Sequence, residues 1–442
     1  MPKLITTRTR IADLGKPRIV VIGGGFGGLE VVKNLRGLKA QIVLFDKFNH
    51  HTFQPLLYQV ATSGLETNSI VAPFRKIFSR QTDFYFRLAE VKAVAAEENS
   101  IETSIGSVKY DYLVIATGAS TNFYGMSDIE KHASFMKNIV DATKLRNRII
   151  RNLEYALLTE DAEVMNSLMD FVIVGGGPTG VELAGALTEL RKNAFRKDYP
   201  ELDMRQMDIY LVEASSRLLN GMSEKASAKA LEFLEEMGVH VLLNTAVKSY
   251  DGYEVELSTG KRLISRSLIW AAGVKGNPID GLNPESITRG NRLLVDEFNR
   301  IKGYENIFAI GDVALMEGDA KFPKGHPQMA PPAQQQGRLV ATNIRRLIAR
   351  QPLKPFRYFD KGSMATVGRH KAVVDMPGGV RFQGFFAWYV WMFVHLMAIV
   401  GWKNKVFTFF SWMWSYISYD RSNRLIIGRN EEKLSPDELK GT

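Results

Sequence analysis

The sequence predicts an α/β fold built on two parallel sheets. In each sheet the first strand along the chain leads into a glycine-rich turn. Two stretches share the order strand, glycines, helix: "RIVVIGGGFGGLEVVKNL" from Arg18 and "FVIVGGGPTGVELAGALTEL" from Phe171. A short β-branched run that leads into GxGxxG and then into a helical pattern is the context in which this motif forms a Rossmann-like unit. One such motif is a weak signal. Two complete copies in one chain predict two Rossmann-like units.

The first copy has every part of a dinucleotide site. After the predicted strand 18–22, Gly23 permits a tight turn, Gly25 lets the backbone approach a pyrophosphate, and Gly28 lets the helix pack closely on the strand. The helix N-terminus offers unpaired N–H groups to phosphates. The next strand, "QIVLFD", ends at Asp46, where an acidic residue is expected to hold ribose hydroxyls.

The second copy repeats these features with Phe171–Val174 as the strand. Its motif glycines are Gly175, Gly177 and Gly180. Its second strand, "DIYLVE", ends at Glu213, and the charged stretch "RKNAFRKDYPELDMRQ" is interpreted as an extended helix and loop. A carboxylate at this position favours NADH because it repels a 2′-phosphate, although the nearby Arg217 weakens that preference.

Three further apolar runs are interpreted as strands. "YDYLVIATGA" ends in Thr117 and Gly118, and "RSLIWAAGV", its counterpart in the second half, contains Gly273. "ENIFAIGDVA" places Asp312 directly after a strand; the simpler interpretation of this aspartate is a solvated turn residue.

With these segments the chain resembles the two-dinucleotide-binding flavoproteins shaped like glutathione reductase. The resemblance implies that the first copy binds FAD and that the second binds NADH and is inserted into the FAD domain. It implies an FAD domain over 1–125 and 281–380, an NADH domain over 126–280, and a C-terminal region over 381–442. The FAD residues so implied are Gly23, Gly25, Gly28, Asp46, Gln54, Thr117, Gly118 and Asp312. The NADH residues are Gly175, Gly177, Gly180, Glu213 and Gly273.

The amino-acid composition excludes several kinds of functional site. The chain has no cysteine, which excludes disulfides, zinc–thiolate sites, iron–sulfur clusters and thiol nucleophiles. Flavoprotein disulfide reductases and sulfide:quinone oxidoreductases need cysteines, so both are disfavoured. The histidines lack metal-ligand spacing, so no protein-bound metal is expected. The net charge of +10 suits an anionic membrane or anionic ligands, and no basic block with interleaved aromatics favours nucleic acid.

Four stretches resemble type II NADH:quinone oxidoreductases more closely. They are "FDKFNHHTFQPLLYQVATSGL", "GGGPTGVELAGALTEL", "PPAQQQGRLVATNI" and the apolar tail. The resemblance extends from about Lys16 to about Gly428. It implies a flavoenzyme on the cytoplasmic face of the cell membrane that passes electrons from NADH to menaquinone or ubiquinone without pumping protons. A homodimer is compatible with this interpretation.

The resemblance also implies two catalytic residues. Glu182 matches the family's acidic residue near nicotinamide and flavin, where burial could tune its pKa for proton handling; the alternative is a carboxylate that merely stabilises its helix. Gln335 matches the second glutamine of the AQxxxQ quinone motif, and the alternative is a polar helix start. The chain departs from that motif at Pro331, which replaces the first glutamine.

Several polar residues are weaker candidates. His50 and His51 would suit a proton donor at neutral pH, but a packed or exposed loop histidine is the simpler interpretation. Gln54 would shape the flavin pocket. His370 and Lys371 are placed near a quinone entrance.

The C-terminal tail has two apolar runs. Residues 384–402 contain no charged side chain, and Val406 to Tyr419 forms the second run. Trp and Tyr occur throughout, and Lys403, Lys405, Arg421 and Arg424 follow or flank the runs. We expect a helical hairpin that lies in one leaflet of an anionic bilayer. The alternatives are a spanning helix and a surface covered by a second subunit.

Two other functions remain open from the sequence. A reductase of a ferredoxin-like protein would share the fold, but a protein acceptor gives the tail no purpose. A non-catalytic flavoprotein that senses NADH would use the tail to dock on a partner.

Overall fold

The computed structural model describes residues 9–418 and 423–428, and the chain divides into two compact units. The first unit consists of Met1–His51, Ala72–Ser120 and Val274–Asp360. The second consists of Thr52–Val71, Thr121–Gly273 and Lys361–Thr442. Each unit is therefore assembled from three separate segments of the chain.

Strands are short throughout the described residues. In chain order they are β1 (Arg18–Ile22), β2 (Gln41–Asp46), β3 (His50–Thr52), β4 (Val71–Pro73), β5 (Phe84–Leu88), β6 (Val91–Ala95), β7 (Ser100–Thr103), β8 (Gly106–Lys109), β9 (Tyr112–Ile115), β10 (Ala119–Thr121), β11 (Phe171–Val174), β12 (Ile209–Val212), β13 (His240–Leu242), β14 (Val247–Tyr250), β15 (Glu254–Leu257), β16 (Arg262–Ile264), β17 (Leu268–Trp270), β18 (Val274–Gly276), β19 (Leu293–Val295), β20 (Ile307–Ala309), β21 (Ala314–Met316), β22 (Ser363–Thr366), β23 (Ala372–Asp375) and β24 (Arg381–Gln383).

Helices cover the sheets and form the tail. They are α1 (Phe26–Asn34), α2 (Leu57–Ala61), α3 (Phe74–Ile77), α4 (Ser127–His132), α5 (Ile139–Ala156), α6 (Ala162–Met169), α7 (Pro178–Glu189), α8 (Arg196–Asp198), α9 (Glu224–Glu236), α10 (Ala330–Ile348), α11 (Phe385–Ala398) and α12 (Trp402–Ser418). A π-helical stretch, Leu190–Phe195, joins α7 to α8. It confirms a helix over the first part of the charged stretch that follows the second glycine motif.

The first unit is built on a five-stranded parallel sheet in the order β20–β9–β1–β2–β5. Ile19, Val20 and Val21 of β1 are fully buried, as expected for a parallel strand with both faces covered. Helix α1 packs beside α10, where the Arg338 guanidinium donates to the Glu30 carboxylate at 2.8 Å. The predicted strand–glycine–helix order of the first copy is confirmed.

The second unit repeats this design with a four-stranded parallel sheet, β13–β12–β11–β17. Two antiparallel sheets, β14–β15–β16 and β22–β23–β24, complete the unit together with α11 and α12. The prediction of two Rossmann-like folds is therefore confirmed, with the second inserted between segments of the first.

The compact units divide the chain differently from the predicted domains. Residues 52–71 and 361–380, which the sequence assigned to the FAD domain, belong to the second unit. The reason is packing: α2 lies against α5 and α7, and α7 also packs on β22. The Tyr58 hydroxyl and the Thr366 hydroxyl, 3.1 Å apart, link these two segments.

The tail forms two helices, α11 and α12, joined at residues 399–401. Among the described residues, no helix is long and apolar enough to cross a membrane. Trp391 is buried, whereas Phe386, Phe393 and Trp414 are between 63 and 67% exposed. Tyr419 and Arg421 lie outside the described residues. Arg424 forms an ion pair with Asp198, so it returns to the second unit.

His395 interrupts the first apolar run without being charged. Its Nδ1 lies 2.8 Å from the Trp391 carbonyl oxygen, and its ring stacks on the Trp391 indole at 4.0 Å between centroids. Burial lowers the pKa of His395 to about 4, so the ring is neutral at pH 7. The polar residue is thus accommodated by its own helix.

Candidate functional site

The first glycine turn has the geometry that the motif predicts. Gly23 has φ +97°, and a Cβ there would lie 2.4 Å from the Ala116 carbonyl oxygen. A Cβ on Gly28 would lie 1.9 Å from the Gly23 carbonyl oxygen. Side chains are therefore excluded at both positions, which lets α1 start directly against β1.

Gly25, in contrast, faces open space. A Cβ at this residue would have no atom within 4 Å, and Gly25 precedes α1 without any side-chain cap on the helix. No acidic residue lies in the first turn of α1. The N-terminus of α1 and the missing side chain leave a cradle that fits a pyrophosphate, as FAD requires.

Asp46 lies at the end of β2, beside this cradle. Its Oδ2 accepts the Gly24 N–H at 2.6 Å, and its Oδ1 accepts the Phe48 N–H at 2.7 Å. Burial raises the pKa of the Asp46 carboxyl, and the two backbone hydrogen bonds partly offset that rise. Each oxygen keeps a further lone pair for a ribose hydroxyl.

The second glycine turn has the same geometry. Gly175 has φ +110°, a Cβ on Gly180 would lie 1.9 Å from the Gly175 carbonyl oxygen, and Gly177 faces open space. The Glu213 Oε2 accepts the Gly176 N–H at 2.5 Å, and its Oε1 accepts the Ser215 N–H at 2.8 Å. The cradle therefore fits a second dinucleotide.

Arg217 is bound within its own loop. Its guanidinium donates to the Asn220 side chain at 3.1 Å, to the Asn220 carbonyl oxygen at 3.1 Å and to the Met222 carbonyl oxygen at 3.3 Å. These hydrogen bonds occupy the guanidinium nitrogens, which makes Arg217 a poor ligand for a 2′-phosphate. The carboxylate of Glu213 thus sets the charge beside Gly176, which favours NADH.

Three more residues predicted to contact the flavin, Thr117, Gly118 and Asp312, lie along one edge of the first sheet. Thr117 follows β9, and Asp312 lies in the 3₁₀ turn Gly311–Val313 after β20. Because β20, β9, β1 and β2 are neighbouring parallel strands, their carboxyl ends meet at the same edge. Thr117 Oγ1 donates to the Asn277 carbonyl oxygen at 2.6 Å, and Gly118 has φ +68°.

Gln54 and Gly273 belong to the second unit. Gln54 is exposed, and its Nε2 donates to the Lys137 carbonyl oxygen at 3.1 Å. Gly273 has φ +73°, and a Cβ there would lie 2.1 Å from the Tyr124 hydroxyl. The cofactor contacts expected of these two residues stay predictions.

His51 is buried beneath the first glycine turn. Its Nδ1 lies 3.0 Å from the Gly24 carbonyl oxygen, and its ring meets Phe26 edge-on at 5.2 Å. Burial lowers the pKa of His51 to about 4, so the neutral ring donates from Nδ1 at pH 7. His50 is partly exposed, with its Nδ1 3.0 Å from the Asn49 side-chain oxygen. The packed-histidine interpretation fits His51.

Gln335 and Gln336 have different partners in the first unit. The Gln335 amide pairs with the Phe359 backbone in both directions, donating at 2.8 Å and accepting at 2.9 Å. Gln336 is buried, and its Oε1 accepts the Gly311 N–H at 2.7 Å. Pro331 lies in the first turn of α10, where a missing N–H leaves no helical hydrogen bond unmade.

Glu182 lies on α7 and is only 8% exposed. Burial raises the pKa of Glu182 to about 8, while the Thr366 N–H and, more weakly, the Trp391 indole offset part of the rise. The indole nitrogen of Trp391 forms no regular hydrogen bond with the described residues. Glu182 is therefore a carboxylic acid at neutral pH, not a carboxylate.

The acid lies on the wall of a cavity of about 100 Å³ within the second unit. Helices α2, α7, α11 and α12 and the β22–β23 turn surround this cavity. The residues that line it are Tyr58, Gln59, Thr62, Gly64, Glu182, Ala186, Glu189, Asn193, Ala194, Thr366, Gly368, Arg369, Trp388, Trp391, Met392, Trp412, Ser415 and Tyr416. The tail helices thus close the chamber in which Glu182 lies.

A hydrogen-bonded chain fixes one wall of the cavity. The Trp412 indole donates to the Gln59 Oε1 at 2.7 Å, and the Gln59 Nε2 donates to the Tyr58 hydroxyl at 3.1 Å. The Tyr58 hydroxyl continues to Thr366, whose N–H binds Glu182. Sequence reasoning missed this chain; the only signal was that Tyr58 and Gln59 lie within the stretch that resembles the family.

The β22–β23 turn ties the two tail helices together. Arg369 donates to the Ser415 carbonyl oxygen at 2.9 Å and lies over the Tyr416 ring at 4.8 Å. The His370 ring contacts Trp388 of α11 at 5.4 Å and Tyr416 of α12 at 5.0 Å between centroids. The turn therefore borders the cavity, whereas the Lys371 Nζ donates to the exposed Glu236 carboxylate at 2.5 Å.

Comparisons with known proteins agree with this arrangement. Residues 17–337 match the family described as pyridine nucleotide-disulphide oxidoreductase, and residues 361–419 match the NDH2 C-terminal domain. Two type II NADH:quinone oxidoreductases of Mycobacterium tuberculosis are 34% and 35% identical to the chain. These matches cover 93% and 92% of this chain and 90% of each relative.

The solved structures agree on the fold. The structure of NDH2 from Plasmodium falciparum in complex with NADH superposes with a TM-score of 0.84 at 23% identity, over 93% of this chain and 100% of the other. The sulfide:quinone oxidoreductase of Aquifex aeolicus superposes with a TM-score of 0.71 at 20% identity, over 91% of this chain and 95% of the other. The chain belongs to the pyridine nucleotide-disulphide oxidoreductase family and, within it, to the type II NADH:quinone oxidoreductases.

Proposed function

We propose that this chain is a membrane-associated flavoenzyme that oxidises NADH and reduces a membrane quinone through FAD, in a respiratory chain and without pumping protons. The observation that carries the proposal is the position of Glu182. A buried acid with its pKa near 8 lies on the wall of a cavity that the two apolar tail helices close. A quinone that is being reduced needs a proton donor of this kind, and the quinone reaches the cavity from the lipid bilayer.

The first unit is proposed to hold FAD and the second NADH. The open backbone at Gly25 and the N-terminus of α1 receive the pyrophosphate of FAD, while Asp46 holds its ribose. Gly177 and Glu213 do the same for NADH. When bound, FAD accepts a hydride from NADH and passes both electrons to the quinone. Asp312 is proposed to hold the ribityl chain of FAD.

Glu182 is proposed to donate a proton to the quinone. Reduction makes the quinone oxygens more basic, and an acid with a pKa near 8 is protonated before the transfer at neutral pH. The Thr366 N–H then stabilises the carboxylate that remains. Gln335 is a proposed second contact of the quinone head group; one N–H and one oxygen lone pair of its amide remain beyond the Phe359 pair.

The tail is proposed to rest on an anionic bilayer at the cytoplasmic face of the cell membrane. Large apolar side chains on both helices face outward, among them Phe386, Phe393, Trp402, Trp414 and Ile417. Lys403 and Lys405 lie at the start of α12, and the exposed Lys403 is proposed to contact lipid phosphates. The Lys405 Nζ donates to the Met397 carbonyl oxygen at 2.6 Å. A homodimer would cover part of the same surface, and sedimentation in detergent separates that arrangement from a lipid-bound monomer.

The proposal is tested by anaerobic flavin spectroscopy on the purified protein in detergent. We expect NADH to bleach the flavin band and a short-chain quinone to restore it. Glu182→Gln should bleach at the wild-type rate and recover at least about a hundredfold more slowly, the size expected for loss of a general acid. The exposed Glu235→Gln variant is the control. Bleaching of the wild-type protein without any recovery would reject quinone as the acceptor.

A further inference from the structure

The cavity contains a second carboxyl group, Glu189, on the same helix as Glu182. The two residues are seven positions apart, which places them on one face of α7 and about 10 Å apart along its axis. Ala186 lies between them, and all three line the cavity. Glu182 is buried, whereas Glu189 is partly exposed.

The proposed reaction creates a need that this pair meets. In NADH + H⁺ + quinone → NAD⁺ + quinol, both electrons and one proton come from NADH, and the other proton comes from water. An acid that is only 8% exposed exchanges protons with the solvent poorly. Glu182 therefore needs a group that carries protons inward after each donation.

The helix between the two carboxyl groups leaves room for water. The methyl group of Ala186 is the only side-chain carbon at that position, so the cavity extends along α7 between the acids. The helix then becomes a π-helix over Leu190–Phe195, which brings the adjacent Asn193 and Ala194 to the same cavity. Such π-helical turns occur frequently at functional sites.

Glu189 is oriented but not saturated by its hydrogen bonds. Its Oε2 accepts the Asn193 Nδ2–H at 3.4 Å, and its Oε1 accepts the Arg369 backbone N–H at 3.4 Å. Both bonds are long, so each oxygen keeps the capacity to bind water.

The groups that face Glu189 are few among the described residues. Arg369 and His370 come from the β22–β23 turn, and Glu189 raises the pKa of His370 against the larger lowering effect of burial. The tail helices contribute Trp388, Trp391, Ser415 and Tyr416 to the cavity, and none of these is an aspartate, glutamate, lysine, arginine or histidine. The Arg369 backbone N–H thus holds the Glu189 side chain at the part of the cavity that these residues line.

We propose that Glu189 is a proton-relay residue that reloads Glu182 through water beside Ala186, an inference that rests on the proposed quinone reduction. The Glu182 O–H bond breaks as the quinone oxygen gains its hydrogen, which leaves a Glu182 carboxylate. That carboxylate takes a proton from a cavity water, the water takes one from Glu189, and Glu189 takes one from the solvent. No electron moves in these steps.

The first experiment compares Glu189→Gln with Glu189→Asp by stopped-flow spectroscopy. NADH should bleach the flavin of both variants as fast as in the wild type. Quinone should restore the oxidised flavin about tenfold more slowly in Glu189→Gln, with the deficit growing from pH 6 to pH 8 as solvent protons become scarce. Glu189→Asp keeps a titrating group and should recover most of the rate, and formate added to Glu189→Gln should recover part of it.

The second experiment keeps Glu189 and fills the part of the cavity beside Ala186 instead. Ala186→Leu should block the water and reproduce the pH-dependent slowing of Glu189→Gln, whereas Ala186→Ser should slow reoxidation less. This pair decides the question if Glu189→Gln binds flavin poorly. Equal reoxidation rates in wild type, Glu189→Gln and Ala186→Leu from pH 6 to pH 8 would overturn the relay and leave quinone reduction intact. Failure of the wild type itself to reduce quinone would instead overturn the proposed function.

Discussion

Burial of Glu182 should make folding stability depend on pH in a way that one substitution removes. The ordinary pKa of the carboxyl is 4.5, and burial raises it to about 8 in the folded protein. The folded state therefore holds a proton that the unfolded chain releases. Stability from this residue is fully present below about pH 4.5 and is lost as the pH rises toward 8.

The size of the effect follows from the same shift. Between the two pKa values stability falls by about 1.4 kcal/mol per pH unit, so at pH 7 the loss is roughly 3 kcal/mol. Glu182→Gln keeps the shape of the side chain, and its amide oxygen can accept the Thr366 N–H. The variant carries no titrating group and should escape the loss.

The assay is denaturant unfolding of wild type and Glu182→Gln at pH 5, 6, 7 and 8 in one detergent. We expect the wild type to lose stability relative to the variant at each step, so that Glu182→Gln is the more stable protein at pH 8. The exposed Glu235→Gln variant removes the same charge and should follow the wild type. Parallel curves for wild type and Glu182→Gln would refute a buried, protonated Glu182.

Three other outcomes are expected. Gly25→Ala should fold but lose flavin, whereas Gly177→Ala should keep flavin and raise the KM for NADH about tenfold, because each methyl group enters a different phosphate cradle. Flavin absorbance measures the first effect and steady-state rates measure the second. Identical losses in both variants would contradict the assignment of two separate nucleotide sites. Glu213→Ser should reduce the preference for NADH over NADPH about tenfold, measured as a ratio of kcat/KM values, and an unchanged ratio would remove the role of this carboxylate. Phe393→Asp should weaken binding to anionic vesicles in flotation assays. The control variant Leu158→Asp changes a side chain that is equally exposed in the same unit, and it should bind as the wild type does. Equal binding of both variants would contradict lipid contact by the tail.

Local sequence determined the two Rossmann-like turns almost completely. Gly23 and Gly28 are required because a Cβ at either would collide with backbone, and that constraint arises within a few residues. Asp46 follows in the next strand, so its distance along the chain fixes its place beside Gly24. Strand periodicity and motif spacing act over short range, which is why the sequence predicted them.

The domain limits and the surroundings of Glu182 depended on contacts between distant parts of the chain. Tyr58 meets Thr366 across 308 residues, and Gln59 meets Trp412 across 353 residues. No spacing rule links such pairs, because packing of α2 and the tail against α7 brings them together.

The sequence by itself determined the fold, the two nucleotide turns and the apolar character of the tail, since each is a property of neighbouring residues. Only the tertiary structure decided that the tail closes a cavity over Glu182, that Arg217 is bound within its loop and that Gln335 pairs with Phe359. Burial and hydrogen-bond partners set the protonation of Glu182, and both depend on residues that meet only after the chain has folded.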